Sequence, residues 1–183
     1  IIETGGDLQL TGPANAGTGM RLSAGGQVQA DQSVTAGALE VSAADARFAA
    51  DVAAGGDMRF TVGRLQLGGS LQSGGVLNIA AGAGGVQTGN VRSNLDLIID
   101  SLGSIQMGSA DAARDIRLDS EQGDIDSSHL IAGRNLSLGG GTLSVSGITS
   151  GGGNLDLHAR SGNLQLAQVQ AGGGVNIQAV GNI

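Results

Sequence analysis

Cysteine, tryptophan, tyrosine and lysine are missing from this chain of 183 residues, which has one proline and two phenylalanines. Without cysteine there is neither a disulfide framework nor a thiolate metal site. Without lysine a Walker-type phosphate loop is impossible. With so few aromatic rings the core has to be aliphatic. No apolar run reaches the roughly 18 residues that a membrane helix needs, so membrane insertion is not expected. Sixteen acidic residues against nine arginines give a net charge of -7. That balance argues against a polyanionic partner, and nucleic acid is not expected.

What the chain does have is glycine, 35 copies, and a repeat. A triplet of apolar, polar and apolar residues starts at Met20, Leu39, Met58, Leu77, Leu95, Ile116, Leu136, Leu155 and Val175, at intervals of 18 to 21 residues. A second triplet starts at Leu8, Val28, Ala46, Leu65, Val86, Ile105, Ile125, Leu143 and Leu164. A single apolar station follows at Val34, Val52, Leu71, Val91, Ala110, Leu130, Ile148 and Val169. Alternation over three residues is the period of a strand, and stations this short cannot hold helices.

Repeats of this length stack, each burying the apolar face of its neighbour. The sequence therefore predicts an all-β fold, a parallel β-helix of about nine coils of ~19 residues with three short strands per coil. The parallel-crossover rule makes it right-handed. At a strand spacing of about 4.8 Å the rod is about 43 Å long. Glycines two residues before the second triplet, Gly26, Gly63, Gly84, Gly103, Gly123, Gly141 and Gly162, are expected to turn one corner at positive φ, with Ala44 at that phase in one coil. Asn94 and Asn135 are assigned a similar conformation at the corner before the first triplet. Residues 1–183 read as a single repeat segment, a fragment of a much longer filament.

The middle residues of the triplets point outward and form two columns. Arg21, Glu40, Arg59, Asn78, Asp96, Arg117, Ser137, Asp156 and Asn176 alternate in charge, so Arg21-Glu40-Arg59 and Asp96-Arg117 are expected to pair. The second column is rich in glutamine and suits an amide ladder. Polysaccharide-cleaving β-helix chemistry would need carboxylates converging in a cleft. The candidates are Asp111, Asp115, Asp119, Glu121, Asp124 and Asp126, with Arg114 and Arg117 among them. Their phases differ, so they read as charged turns. His129 and His158 also differ in phase, and neither Thr142 nor Ser161 has a histidine at matching phase. No enzyme activity, cofactor or metal is expected. The corners around 98–104 and 119–124 are longer than average, and Ile98, Ile99 and Leu102 form the most apolar candidate for a partner contact.

The strings GGDMRFTV, GGVLNIAA, GGNLDLHA and GGGVNIQA closely resemble the repeat region of filamentous haemagglutinin and related two-partner secretion exoproteins. The resemblance implies a rigid β-helical shaft of a secreted, surface-displayed bacterial adhesin that supports attachment to host cells. It implies an outer-membrane transporter as partner, reached through a secretion domain outside this segment, and host-cell glycans or receptors as candidate ligands. Contact-dependent inhibition toxins and haemolysins share the repeat and are the alternative parents. The Asn-Pro-Asn-Leu motif of the secretion domain is missing, since the one proline is Pro13, and there is no Arg-Gly-Asp.

Overall fold

A computed structural model describes residues 1–183, all of them in strands, turns and connecting segments, with no helix. Parallel strands stack as a β-solenoid of about 9 turns, roughly 19 residues apart. Its nineteen strands form one hydrogen-bonded system in which each pairs with the equivalent strand of the adjacent coil. Each coil has three faces, and face 1 carries the first triplet, face 2 the second and face 3 the lone apolar station. Face 2 has the expected register throughout, Leu8, Val28, Ala46, Leu65, Val86, Ile105, Ile125, Leu143 and Leu164 lying in one column.

Two stations differ from the sequence reading. On face 1, Leu97 rather than Leu95 lies between Leu77 and Ile116. Leu-Asp-Leu at 95–97 has the better alternation. Starting face 1 at Leu95, however, would leave only four residues from Val91, where the flanking coils use six, as from Leu71 to Leu77 and from Ala110 to Ile116. Geometry overrides pattern, placing Ile98 in the outward column and Asp96 at the corner. On face 3, Thr149 rather than Ile148 faces Leu130 and Val169, after a register shift between Ser127 and Leu130. This leaves Gly151 in the small-residue column with Ala132 and Ala171.

The inward columns merge into one core of 43 buried residues. It is aliphatic except for Phe48 and Phe60, which meet edge to face at 6.0 Å between ring centroids. In the outermost coils the same columns are only half-buried, as at Leu8, Leu10 and Ile177, because one side has no neighbouring coil.

The corner glycines are needed for a different reason from the one expected. Gly85 alone has a positive φ, 75°, and no residue other than glycine does, so Asn94 and Asn135 do not adopt that conformation either. Gly26, Gly63, Gly84, Gly103, Gly123, Gly141 and Gly162 lie where a Cβ would run into the preceding coil. A Cβ on Gly84 would lie 2.6 Å from Arg64 Cβ, and one on Gly141 2.8 Å from Asp124 Oδ1. At Gly63 and Gly103 it would collide with the carbonyl oxygens of Ala44 and Ala83, which are backbone and cannot move aside.

The core contains a polar misfit. Thr149 is 0 % exposed and its Oγ1 has no hydrogen-bond partner. An orphaned buried hydroxyl costs about 1–3 kcal/mol. Thermal unfolding of two variants should therefore move in opposite directions. Thr149→Val keeps the shape, loses the orphan and should raise stability by about 1 kcal/mol. Gly103→Ala should lower it by about 1–3 kcal/mol through the backbone clash. A destabilised Thr149→Val would show that the hydroxyl has a partner after all.

Candidate functional site

The corners differ in how regular they are. From face 2 to face 3, and from face 3 to face 1, the chain advances five or six residues in every coil, as in Leu65 to Leu71 to Leu77. From face 1 to face 2, at corner 1, the advance varies. It is seven residues from Met58 to Leu65 and from Leu136 to Leu143. It is nine from Leu77 to Val86, eight from Leu97 to Ile105, and nine from Ile116 to Ile125. Three successive coils are therefore raised along this edge, followed by a notch at Gly139, Gly140 and Gly141, and the corner is long again from Leu155 to Leu164, as it is near the start of the chain from Met20 to Val28. The two corners singled out in the sequence, 98–104 and 119–124, are neighbours in this raised stretch.

An ion-pair chain runs along it. Asp100 and Asp119 occupy adjacent rungs of one column, with Gly139 and His158 continuing it. Stacked carboxylates repel, and Arg117 lies against both, 3.0 Å from Asp100 Oδ1 and 3.6 Å from Asp119 Oδ2. Arg160 reaches back two coils to pair with Asp119 and donates at 2.8 Å to the carbonyl of Ser120. The notch makes that reach possible. A Cβ on Gly139 would lie 2.8 Å from Asp119 Oδ1, in the path of the Arg160 guanidinium.

This arrangement corrects several expectations. Arg21 and Glu40 do pair, at 2.7 Å, but Arg59 does not join them. Asp96 pairs with Arg114 at 2.8 Å and not with Arg117, because Ile98 holds the outward position between Asn78 and Arg117. The glutamine column forms one amide link, Gln66 Nε2 donating to Gln87 Oε1 at 3.4 Å, while Gln9 and Gln29 donate to Asp31. Of the proposed contact residues, Ile99 is 0 % exposed, packed between Ile79 and Leu118, and is unavailable to a partner. Ile98 is half-buried and Leu102 is 42 % exposed. Of the six acidic candidates, Asp119 and Glu121 come together with Asp100, whereas Asp111 and Asp126 point out of faces 3 and 2. His129 and His158 lie in separate columns.

A further arrangement escaped the sequence reading. Residues just before a strand send a side-chain oxygen to the backbone N–H at the same phase of the next coil. Asp57 accepts from Val76 at 2.8 Å, Asp115 from Asn135 at 3.0 Å, Asn135 from Asn154 at 3.0 Å and Asn154 from Gly174 at 2.9 Å. Asp51 and Asp124 do the same on the other corners, accepting from Ser70 and Thr142 at 2.7 Å each. The signal was present in the sequence as Asp57, Asp96, Asp115, Asn135 and Asn154, each one residue before a face 1 strand. Starting the fifth triplet at Leu95 hid Asp96.

These bonds hold two carboxyl groups below the usual carboxylate range. For Asp51 the causes are the N–H and then the hydroxyl of Ser70, and for Asp115 chiefly the N–H of Asn135, with Arg134 assisting. A carboxyl whose folded-state pKa is lowered contributes stability that is fully present above about pH 4 and lost as pH falls through the folded value. Asparagine already fills the rung of Asp115 in the next two coils. Asp115→Asn should therefore fold at pH 7 with a change within about 1 kcal/mol. Urea denaturation at pH 7 and pH 3 should show a smaller acid-induced loss for the variant than for the parent chain. Equal losses would contradict the role assigned to this carboxylate.

No three histidine, aspartate or glutamate side chains stand close enough together to hold a metal ion. Comparison of the chain with protein-family models, with curated proteins and with solved structures gave no match.

Proposed function

We propose that this chain is a rigid shaft segment of a secreted, surface-displayed bacterial adhesin of the filamentous haemagglutinin kind, holding binding regions away from the cell and supporting attachment to host cells. The observation that carries the reading is the axial use of polar groups. Corner carboxylates and amides bond to the next coil, and arginines pair between coils, as Arg21 with Glu40, Arg114 with Asp96 and Arg134 with Asp115. Polar side chains engaged along the axis give stiffness, and pairing every coil to its neighbours removes exposed sheet edges along the length. The quoted glycine-led repeats support the adhesin assignment, and with it the expectation of a surface location and a partner transporter.

Screening the purified chain against glycan arrays and cultured epithelial cells tests this. The control is a variant with scrambled outward residues, and circular dichroism checks folding. A shaft shows folded β structure and no saturable binding. Saturable binding lost in the control would make the segment itself the adhesive part.

A further inference from the structure

Corner 1 holds a cleft of about 390 Å³ lined by Asp100, Ser101, Leu102, Asp119, Glu121 and Arg160. Its donors are occupied. Arg160 is bonded to Asp119 and to the Ser120 carbonyl, and Arg117 is shared between Asp100 and Asp119. Two of its oxygens are not, although Arg117 also donates to Asp100 Oδ2 at 3.4 Å. Ser101 is only 5 % exposed, yet its Oγ has no hydrogen-bond partner. One coil later the equivalent Ser120 uses its hydroxyl to bond the Gly103 carbonyl at 2.9 Å. At Ser101 the preceding corner takes the longer path Gly82-Ala83-Gly84-Gly85, with the positive φ at Gly85, and leaves the hydroxyl unpaired. Asp100 Oδ1 is likewise shielded from solvent, and Arg117 approaches it at 3.0 Å without hydrogen-bond geometry. Glu121 takes part in no ion pair.

A buried polar atom without a partner is a standing cost, and for the Asp100 carboxylate, which can only accept, a ligand bearing N–H groups would relieve it. Charge selects the ligand further. At the cleft stand Asp100, Asp119 and Glu121 against Arg117 and Arg160, which leaves an excess of negative charge with Glu121 as its unpaired member. This excess attracts cations and repels anions. Exposed Leu102 beside the carboxylates matches an aliphatic stem that ends in a charge. A bare metal ion would make no use of it.

We infer that this cleft binds the cationic side chain of a partner polypeptide, a lysine or arginine whose stem lies on Leu102 while its head donates to the Glu121 and Asp100 carboxylates, with the Ser101 hydroxyl behind them. The inference stands apart from the shaft reading, because a cleft of this kind would serve any parent of the repeat.

The test is a titration of the isotope-labelled chain with an acetylated, amidated hexalysine peptide at 20 and 150 mM NaCl, followed by amide chemical shifts. The expected result is saturable shifts confined to residues 100–104 and 119–122. Glu121→Gln and Leu102→Ser should each weaken binding, the former about tenfold for the loss of one charge-assisted bond. Glu3→Gln removes the same charge at the far end of the rod and should leave affinity within about twofold. Both mutated corner side chains are exposed, and circular dichroism confirms that the variants fold. Shifts spread along the rod, with Glu3→Gln as damaging as Glu121→Gln, would overturn the site in favour of diffuse charge attraction. Absence of saturable shifts at 20 mM NaCl, or stronger shifts at these residues with the neutral sugar maltohexaose, would overturn the ligand class.

Discussion

The distance between coils governs this structure. Parallel strands hydrogen-bond only at about 4.8 Å, and every coil must keep that spacing on three faces and round three corners. The corners are where it is hardest to keep, since backbone there approaches backbone with no pleat to separate side chains. Glycine at Gly63 and Gly103 meets that constraint, a Cβ at either position colliding with a carbonyl of the preceding coil. Where glycine is not used, an Asp or Asn side chain lies along the axis and occupies the N–H above it, as Asp115 does for Asn135.

The axial bonds have a direction. Ten side-chain oxygens accept from backbone N–H groups of another coil, and in every case the acceptor belongs to the earlier coil and the donor to the later one. Four buried or half-buried serines, Ser73, Ser93, Ser120 and Ser127, also donate back to carbonyls of the preceding coil. Each coil thus presents acceptors placed for the one that follows. A repeat built this way extends by addition of equivalent units and gains little from any one of them. Against that regular background, corner 1 stands out as the edge where length varies, charge accumulates and polar groups lack partners.

Much of the fold was legible because strand alternation and glycine phase carry independent information and agree. Face 2 was placed in every coil from its triplets alone. The two slips, Leu95 for Leu97 and Ile148 for Thr149, came from choosing the better hydrophobic pattern over a constant corner length. In both coils a residue of the wrong polarity sits at the position geometry demands, Ile98 pointing out and Thr149 pointing in. The candidate site was half legible. The longer corners and Leu102 were identified, but the burial of Ile99, the reach of Arg160 across Gly139 and the orphaned Ser101 hydroxyl depend on which coils lie side by side, which no local pattern encodes.

The in-register stack can be tested through an absence, since the chain has no cysteine to interfere. Neighbouring parallel rungs lie about 4.8 Å apart at Cα, within the range a disulfide spans. The deciding experiment is oxidation of paired cysteine variants on face 1, where the two possible registers differ. The structure pairs Asn78 with Ile98, so Asn78→Cys with Ile98→Cys should form an intramolecular disulfide readily, and Asn78→Cys with Asp96→Cys should not. Preferential cross-linking of the Asp96 pair would mean that face 1 follows the hydrophobic pattern rather than the corner geometry, and would contradict coil spacing as the constraint that sets the register.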